Sequence, residues 1–182
     1  MSELSSLYVK LKIKKDNLER FFQDKPMAAE VDQDWASWWE SREMYSPSPL
    51  TEIPACSSAT NRDMLESLIK DPQTAGHEQE EEGQGIWSFS VVFFCENYYE
   101  SLPILAWLKG IAHYMEAGDE GVALIYDFFW GSESVMAHLV FREQKALLAH
   151  TKSTSQIEQS IRDAAKNTLQ TAVDLISAKY GG

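Results

Sequence analysis

The sequence predicts an α+β fold: one mainly antiparallel sheet with helices packed on it and a long C-terminal helix. Three observations lead there. Leu7, Val9, Leu11 and Ile13 alternate with Tyr8, Lys10, Lys12 and Lys14, the period of a half-buried strand. Ile86 to Cys95 is an almost unbroken apolar and aromatic run, as expected of a strand covered on both faces. Ile157, Ile161, Ala165, Leu169, Val173 and Ile176 then mark one face of a long helix.

The remaining elements follow in chain order. Asp16 and Glu19 form a capping-box pattern before Leu18, Phe21 and Phe22, predicting a short helix that stops before Pro26. Trp35, Trp38 and Trp39 predict another over residues 34–45, broken by Ser46-Pro47-Ser48-Pro49. Thr60 and Asp63 cap a helix carrying Met64, Leu65, Leu68 and Ile69, which ends at Asp71-Pro72. Residues 71–85, with His77, the acidic run from Glu78 to Glu82 and three glycines, read as a mobile acidic loop. Ser101 is placed to cap a helix through Leu102, Leu105, Leu108, Ala112 and Met115 that ends at Gly118, with Pro103 in its first turn. Gly121 to Phe129 and Val135 to Phe141 read as a hairpin, with Ala146 to His150 as an edge strand. Ser155 and Glu158 supply the capping box of the final helix. There is no internal repeat, and 182 residues with 44% apolar content suffice for one core, so residues 1–182 are expected to form a single domain.

Composition narrows the function classes. No apolar stretch approaches the roughly 20 residues needed to span a bilayer, and no basic, apolar and small-residue series marks an export signal. Cys56 and Cys95 lack CxxC spacing, so neither a disulfide framework nor a thiolate metal site is indicated. A cytoplasmic, reducing location is expected. The net charge of -12 is concentrated between Asp71 and Phe141, where Lys109 faces twelve acidic residues. Such a field repels nucleic acid and anionic membranes and attracts basic protein surfaces. Acidity that serves solubility alone is the competing reading.

Candidate chemistry is sparse. His77, His113, His138 and His150 show no metal spacing, although His113 and Glu116 on one helix face are able to form an acid/base or ligand pair. Gly131-Ser132-Glu133 lacks the second glycine of a nucleophile elbow, and Gly83-x-Gly85 precedes a strand instead of following one. Cys95, after Phe93 and Phe94, reads as a buried inert thiol. No catalytic residue, cofactor site or metal site is assigned. Two of Trp35, Trp38 and Trp39 are expected in the core. Tyr98 and Tyr99 beside Glu96 and Glu100, and Asp127 beside Phe128, Phe129 and Trp130, read either as a binding rim or as wetted sheet ends.

The small acidic α+β chain, its strand-then-helix opening from Leu7 to Phe22, its tryptophan-rich stretch and its acidic aromatic segments at Glu96–Glu100 and Asp119–Glu133 resemble the immunity proteins of bacterial polymorphic toxin systems. The resemblance is one of general type across the whole chain, without a specific motif. It implies a non-enzymatic protein that binds and neutralises a cognate toxin domain, with a basic nuclease fitting the charge. Glu80, Glu81, Glu82, Glu96, Glu100, Asp119, Glu120, Asp127 and Glu133 are the candidate partners for toxin Lys and Arg. A secretion chaperone or adaptor, and a small enzyme using His113 and Glu116, remain as alternatives.

Overall fold

A computed structural model describes residues 3–44, 46 and 48–181. Tyr45, Pro47 and Gly182, which bear on the expected helix ends, lie outside the described residues, as do Met1 and Ser2. The elements run β1 (Ser5–Lys12), α1 (Lys15–Gln23), α2 (Gln33–Ser41), α3 (Asn61–Ile69), β2 (Gly76–Glu81), β3 (Ile86–Cys95), α4 (Tyr98–Ile111), β4 (Glu120–Tyr126), β5 (Val135–Arg142), β6 (Lys145–Ala149) and α5 (Gln159–Tyr180).

The strands form one open six-stranded antiparallel sheet in the order β2-β3-β1-β4-β5-β6. Alternation in β1 sorts its side chains onto two faces. Leu7, Val9, Leu11 and Ile13 face α1 to α4 and join a core that includes Trp35, Trp38, Leu65, Trp87, Phe89 and Leu105. Tyr8 faces the other way and packs with Val92, Leu124, Ile157, Ala165 and Leu169 under α5. Helices therefore cover both faces, four on one and a single long helix on the other. Gly121 lies opposite Leu11, where a Cβ would stand 2.6 Å from the Lys10 carbonyl oxygen, so the backbones of β1 and β4 approach too closely there for a larger residue.

Several expected boundaries shift for local reasons. Residues 71–85 are not all loop, because Gly76–Glu81 pairs along the full N-terminal half of β3 as an edge strand. Charge on an edge strand is compatible with pairing on its one bonded side and discourages pairing on the other. Helix α1 starts at Lys15 with no side-chain cap, so Asp16 lies inside the first turn and is not the cap. Helix α4 starts at Tyr98, not after Ser101: the Asn97 side chain accepts the Glu100 N–H at 3.1 Å, and the Glu100 carboxylate accepts the Glu96 N–H at 2.7 Å. This reciprocal arrangement satisfies two backbone donors that Ser101 would leave open. Ser153 and Gln156 form the capping box, which closes a short 3₁₀ turn, and α5 begins after it at Gln159. Strand β4 ends at Tyr126 because the Asp127 carboxylate accepts the Trp130 and Ser132 N–H groups and folds the following residues into a loop. All three tryptophans of α2 are buried, one more than expected, and the Tyr98 ring packs edge-on against Trp38 and Trp39.

The far edge of the sheet is closed by a side chain. Asp34 on α2 accepts the Leu148 N–H of β6 at 3.1 Å and pairs with Lys109 of α4 at 2.5 Å. Lys109, the lone cation of the acidic central segment, is thus engaged within the fold and also lies over the Trp35 ring.

Candidate functional site

The nine acidic candidates separate into two groups at opposite ends of the sheet. Glu80, Glu81, Glu82, Asp119 and Glu120 lie where β1 ends and β3 and β4 begin. Glu96, Glu100, Asp127 and Glu133 lie where β3 and β4 end and β5 begins. A strand of this length places the groups on the order of 20 Å apart.

Their carboxylates are not equivalent. Asp119 is 8% exposed and accepts the Glu116 N–H at 2.9 Å, so it holds a turn. Asp127 and Glu100 are likewise occupied by backbone donors, and Glu82 pairs with Lys15 at 3.0 Å. Glu80, Glu81, Glu96, Glu120 and Glu133 are exposed and form no ion pair among the described residues. Glu78, outside the candidate set, is the most engaged acid of the run: it binds Arg62 and the Trp87 indole N–H.

One sheet end combines free acids with exposed aromatic side chains. Tyr99, Phe129 and Trp130 are 53%, 45% and 48% exposed. Tyr99 leans edge-on against buried Trp39, and Phe129 stacks edge-on against Phe93 and Trp130. Asp127 fixes the Phe129-Trp130 loop through its two backbone contacts, so these rings are presented on an ordered support. Sequence reading identified the rim residues individually; the strand order that brings β3 and β4 to flank β1 was needed to assemble them.

The expected pairing of His113 with Glu116 on one helix face is not formed. Helix α4 ends at Ile111, His113 lies in the following 3₁₀ turn, and Glu116 lies beyond it. They do not share a helix face, and Glu116 pairs with Lys14 at 2.8 Å. Among the described residues no group of three or more His, Cys, Asp or Glu side chains is arranged to hold a metal ion. Burial pushes the Cys95 thiol up to about 12, reinforced by Glu100, which makes it a poor nucleophile. Among the described residues no helix is long and apolar enough to cross a membrane.

The outer sheet face also carries a cleft of about 500 Å³ beside the first turns of α5, lined by Lys10, Lys12, Glu120, His138, Arg142 and Glu158 among others. Its charges are mixed, and His138 within it is engaged, its Nδ1 lying 2.8 Å from the Thr151 hydroxyl. Compared with protein-family models, with curated proteins and with solved structures, the chain matches none.

Proposed function

We propose that this chain is a binding protein of the immunity type, which neutralises a basic toxin domain, with a nuclease as the fitting class, by seating it on the acidic and aromatic end of the sheet. The observation that carries the reading is that exposed Tyr99, Phe129 and Trp130 and the unpaired Glu96 and Glu133 lie at the same end of the sheet, Tyr99 against Trp39 on one face and Phe129 against Phe93 on the other. Aromatic anchors supply most of the affinity in interfaces of this anatomy, and surrounding charge sets encounter rate and partner choice. The uneven charge of the chain favours a cationic partner over a nucleic acid.

The test is capture on tagged protein from its native host at low and moderate salt, followed by growth assays with the captured domain expressed alone or together with this chain. The expected result is a stoichiometric, folded, basic domain whose toxicity is suppressed. Phe129→Ala with Trp130→Ala should abolish capture, and Glu96→Lys with Glu133→Lys should slow association roughly tenfold at low salt with a shallower salt dependence. Recovery of the protein alone from cells expressing a candidate toxin, or growth that stays arrested on co-expression, would overturn the reading.

A further inference from the structure

Strand β2 is an edge of the sheet, paired with β3 alone. One residue beyond the Gly76–Val91 pair, the Val92 N–H donates to the Ala75 carbonyl at 3.4 Å. Alternation along the ladder then turns the backbone groups of His77, Gln79 and Glu81 towards β3. The N–H and C=O groups of Glu78 and Glu80 point away from the sheet, and no other backbone group bonds them among the described residues. At Gly76 the end of α3 closes the edge, since a Cβ there would stand 2.6 Å from the Ile69 Cα. Further along the edge is open, with Gln79, Glu80 and Glu81 all exposed.

A groove of about 440 Å³ runs beside this stretch, between α1 and β2, lined by Glu19, Phe22, Arg62, Glu78, Gln79 and Glu80 among others. Two cations border the open edge, and both are committed: Arg62 to Glu78 at 2.8 Å and Lys15 to Glu82 at 3.0 Å. Glu19, Glu80 and Glu81 are exposed and form no ion pair among the described residues. Open backbone donors and acceptors thus coincide with uncompensated negative charge.

We propose that β2 takes an extended basic segment of a partner protein as an added strand, bonded through the backbone of Glu78 and Glu80, with its Lys or Arg side chains against Glu19, Glu80 and Glu81. Main-chain bonds supply affinity in strand addition, and alternate side chains supply selectivity. A second copy of β2 would set like charges opposite one another and is repelled, whereas a basic strand sets opposite charges there. On the groove side, the stem of one added cation lies along Phe22 while its head stays with Glu19 and Glu80. The proposal does not rest on the toxin-binding reading: Glu80 and Glu81 lie at the other end of the sheet from Glu96 and Glu133, and the test needs only the purified chain.

The probe is the end-blocked heptapeptide Lys-Thr-Lys-Thr-Lys-Thr-Lys, titrated into the full chain at low salt and followed by amide exchange in NMR spectra. Saturable binding is expected, with exchange of the Glu78 and Glu80 N–H groups slowed at least about tenfold and that of Gln79 and Glu81, already paired to β3, unchanged. The same peptide N-methylated at every residue keeps its charge but loses its donors, and should bind at least about tenfold more weakly. Glu80→Gln should weaken binding about threefold through charge alone. Glu80→Pro, tolerated where an edge N–H faces solvent, removes that donor as well and should weaken it about tenfold or more. Absence of saturable binding, equal affinity of the N-methylated peptide, or unslowed exchange at Glu78 and Glu80 in the saturated complex would each overturn the proposal. So would a dimer in sedimentation that Glu80→Pro dissociates, which would give the edge to a second copy of the chain.

Discussion

Glu78 holds the Arg62 guanidinium through both carboxylate oxygens, at 2.8 and 2.9 Å, and the oxygen nearer Nη1 also accepts the Trp87 indole N–H at 2.8 Å. Arg62 in turn lies over the Phe22 ring at 5.0 Å and pairs with Glu66. One edge-strand acid therefore links β2, α3, α1 and the buried tryptophan of β3.

Glu78→Ala should destabilise the fold by about 2–3 kcal/mol, because it strands a buried indole donor as well as removing the ion pair. Arg62→Lys should cost less, about 1 kcal/mol, since a lysine keeps the charge, loses the two-point geometry and leaves the indole satisfied. Urea unfolding of the two variants checks the order; equal losses would show that the Trp87 contact contributes nothing.

The β5-β6 hairpin turns through Glu143 and Gln144, both left-handed at φ of 51° and 62°. Gln144 compensates in part by donating its side-chain amide to the Met115 carbonyl at 3.0 Å, whereas the Glu143 side chain forms no hydrogen bond among the described residues. Glu143→Gly is expected to stabilise the protein by about 0.5–1 kcal/mol, because glycine occupies this region without the Cβ penalty. The measurement is the urea midpoint at unchanged slope, and a lowered midpoint would refute it.

Burial lowers the pKa of His138 below the ordinary value of 6.5. The unfolded chain then takes up a proton more readily than the folded one, so acid favours unfolding at this site. The contribution is present above the ordinary histidine value and is lost as pH falls through it towards the folded-state value. Thermal midpoints should decline between about pH 7.5 and about pH 5.5, and His138→Asn should flatten that decline while keeping a partner for Thr151. An identical slope in the variant would assign the pH response elsewhere.

The elements legible in the sequence are those with one dominant signal. Alternation in β1 and the apolar run of β3 give those strands within a residue or two, and the Thr60 cap of α3 is formed as expected, accepting the Asp63 N–H at 3.1 Å. Strand β2 was hidden because His77 to Glu81 is polar on both faces, and its membership of the sheet comes from backbone pairing to β3. Cap positions were misassigned at Asp16, Ser101 and Ser155 because each competes with a neighbouring residue whose backbone geometry decides the outcome. For the acidic candidates, sequence gives charge but not allegiance: Asp119 and Asp127 serve turns, while Glu96 and Glu133 stay free. Arg42, buried at the end of α2, carried no sequence signal at all, since its Nη1 donates to the Val135, Met136 and Thr151 carbonyls more than ninety residues away.

The central strand is also made before either of the strands that flank it. Its two neighbours, β3 and β4, are made only after three helices and β2, and after α4, respectively. During that interval Leu7, Val9, Leu11 and Ile13 form an adhesive strip with two bare hydrogen-bonding edges, a hazard for misassembly on crowded polysomes. Lys10, Lys12, Lys14 and Lys15 interrupt or flank that strip and act as gatekeepers against premature association. Folding is then the late closure of a long circuit, slow by virtue of its distant pairings, with the lysines of and beside β1 guarding it until its partners arrive.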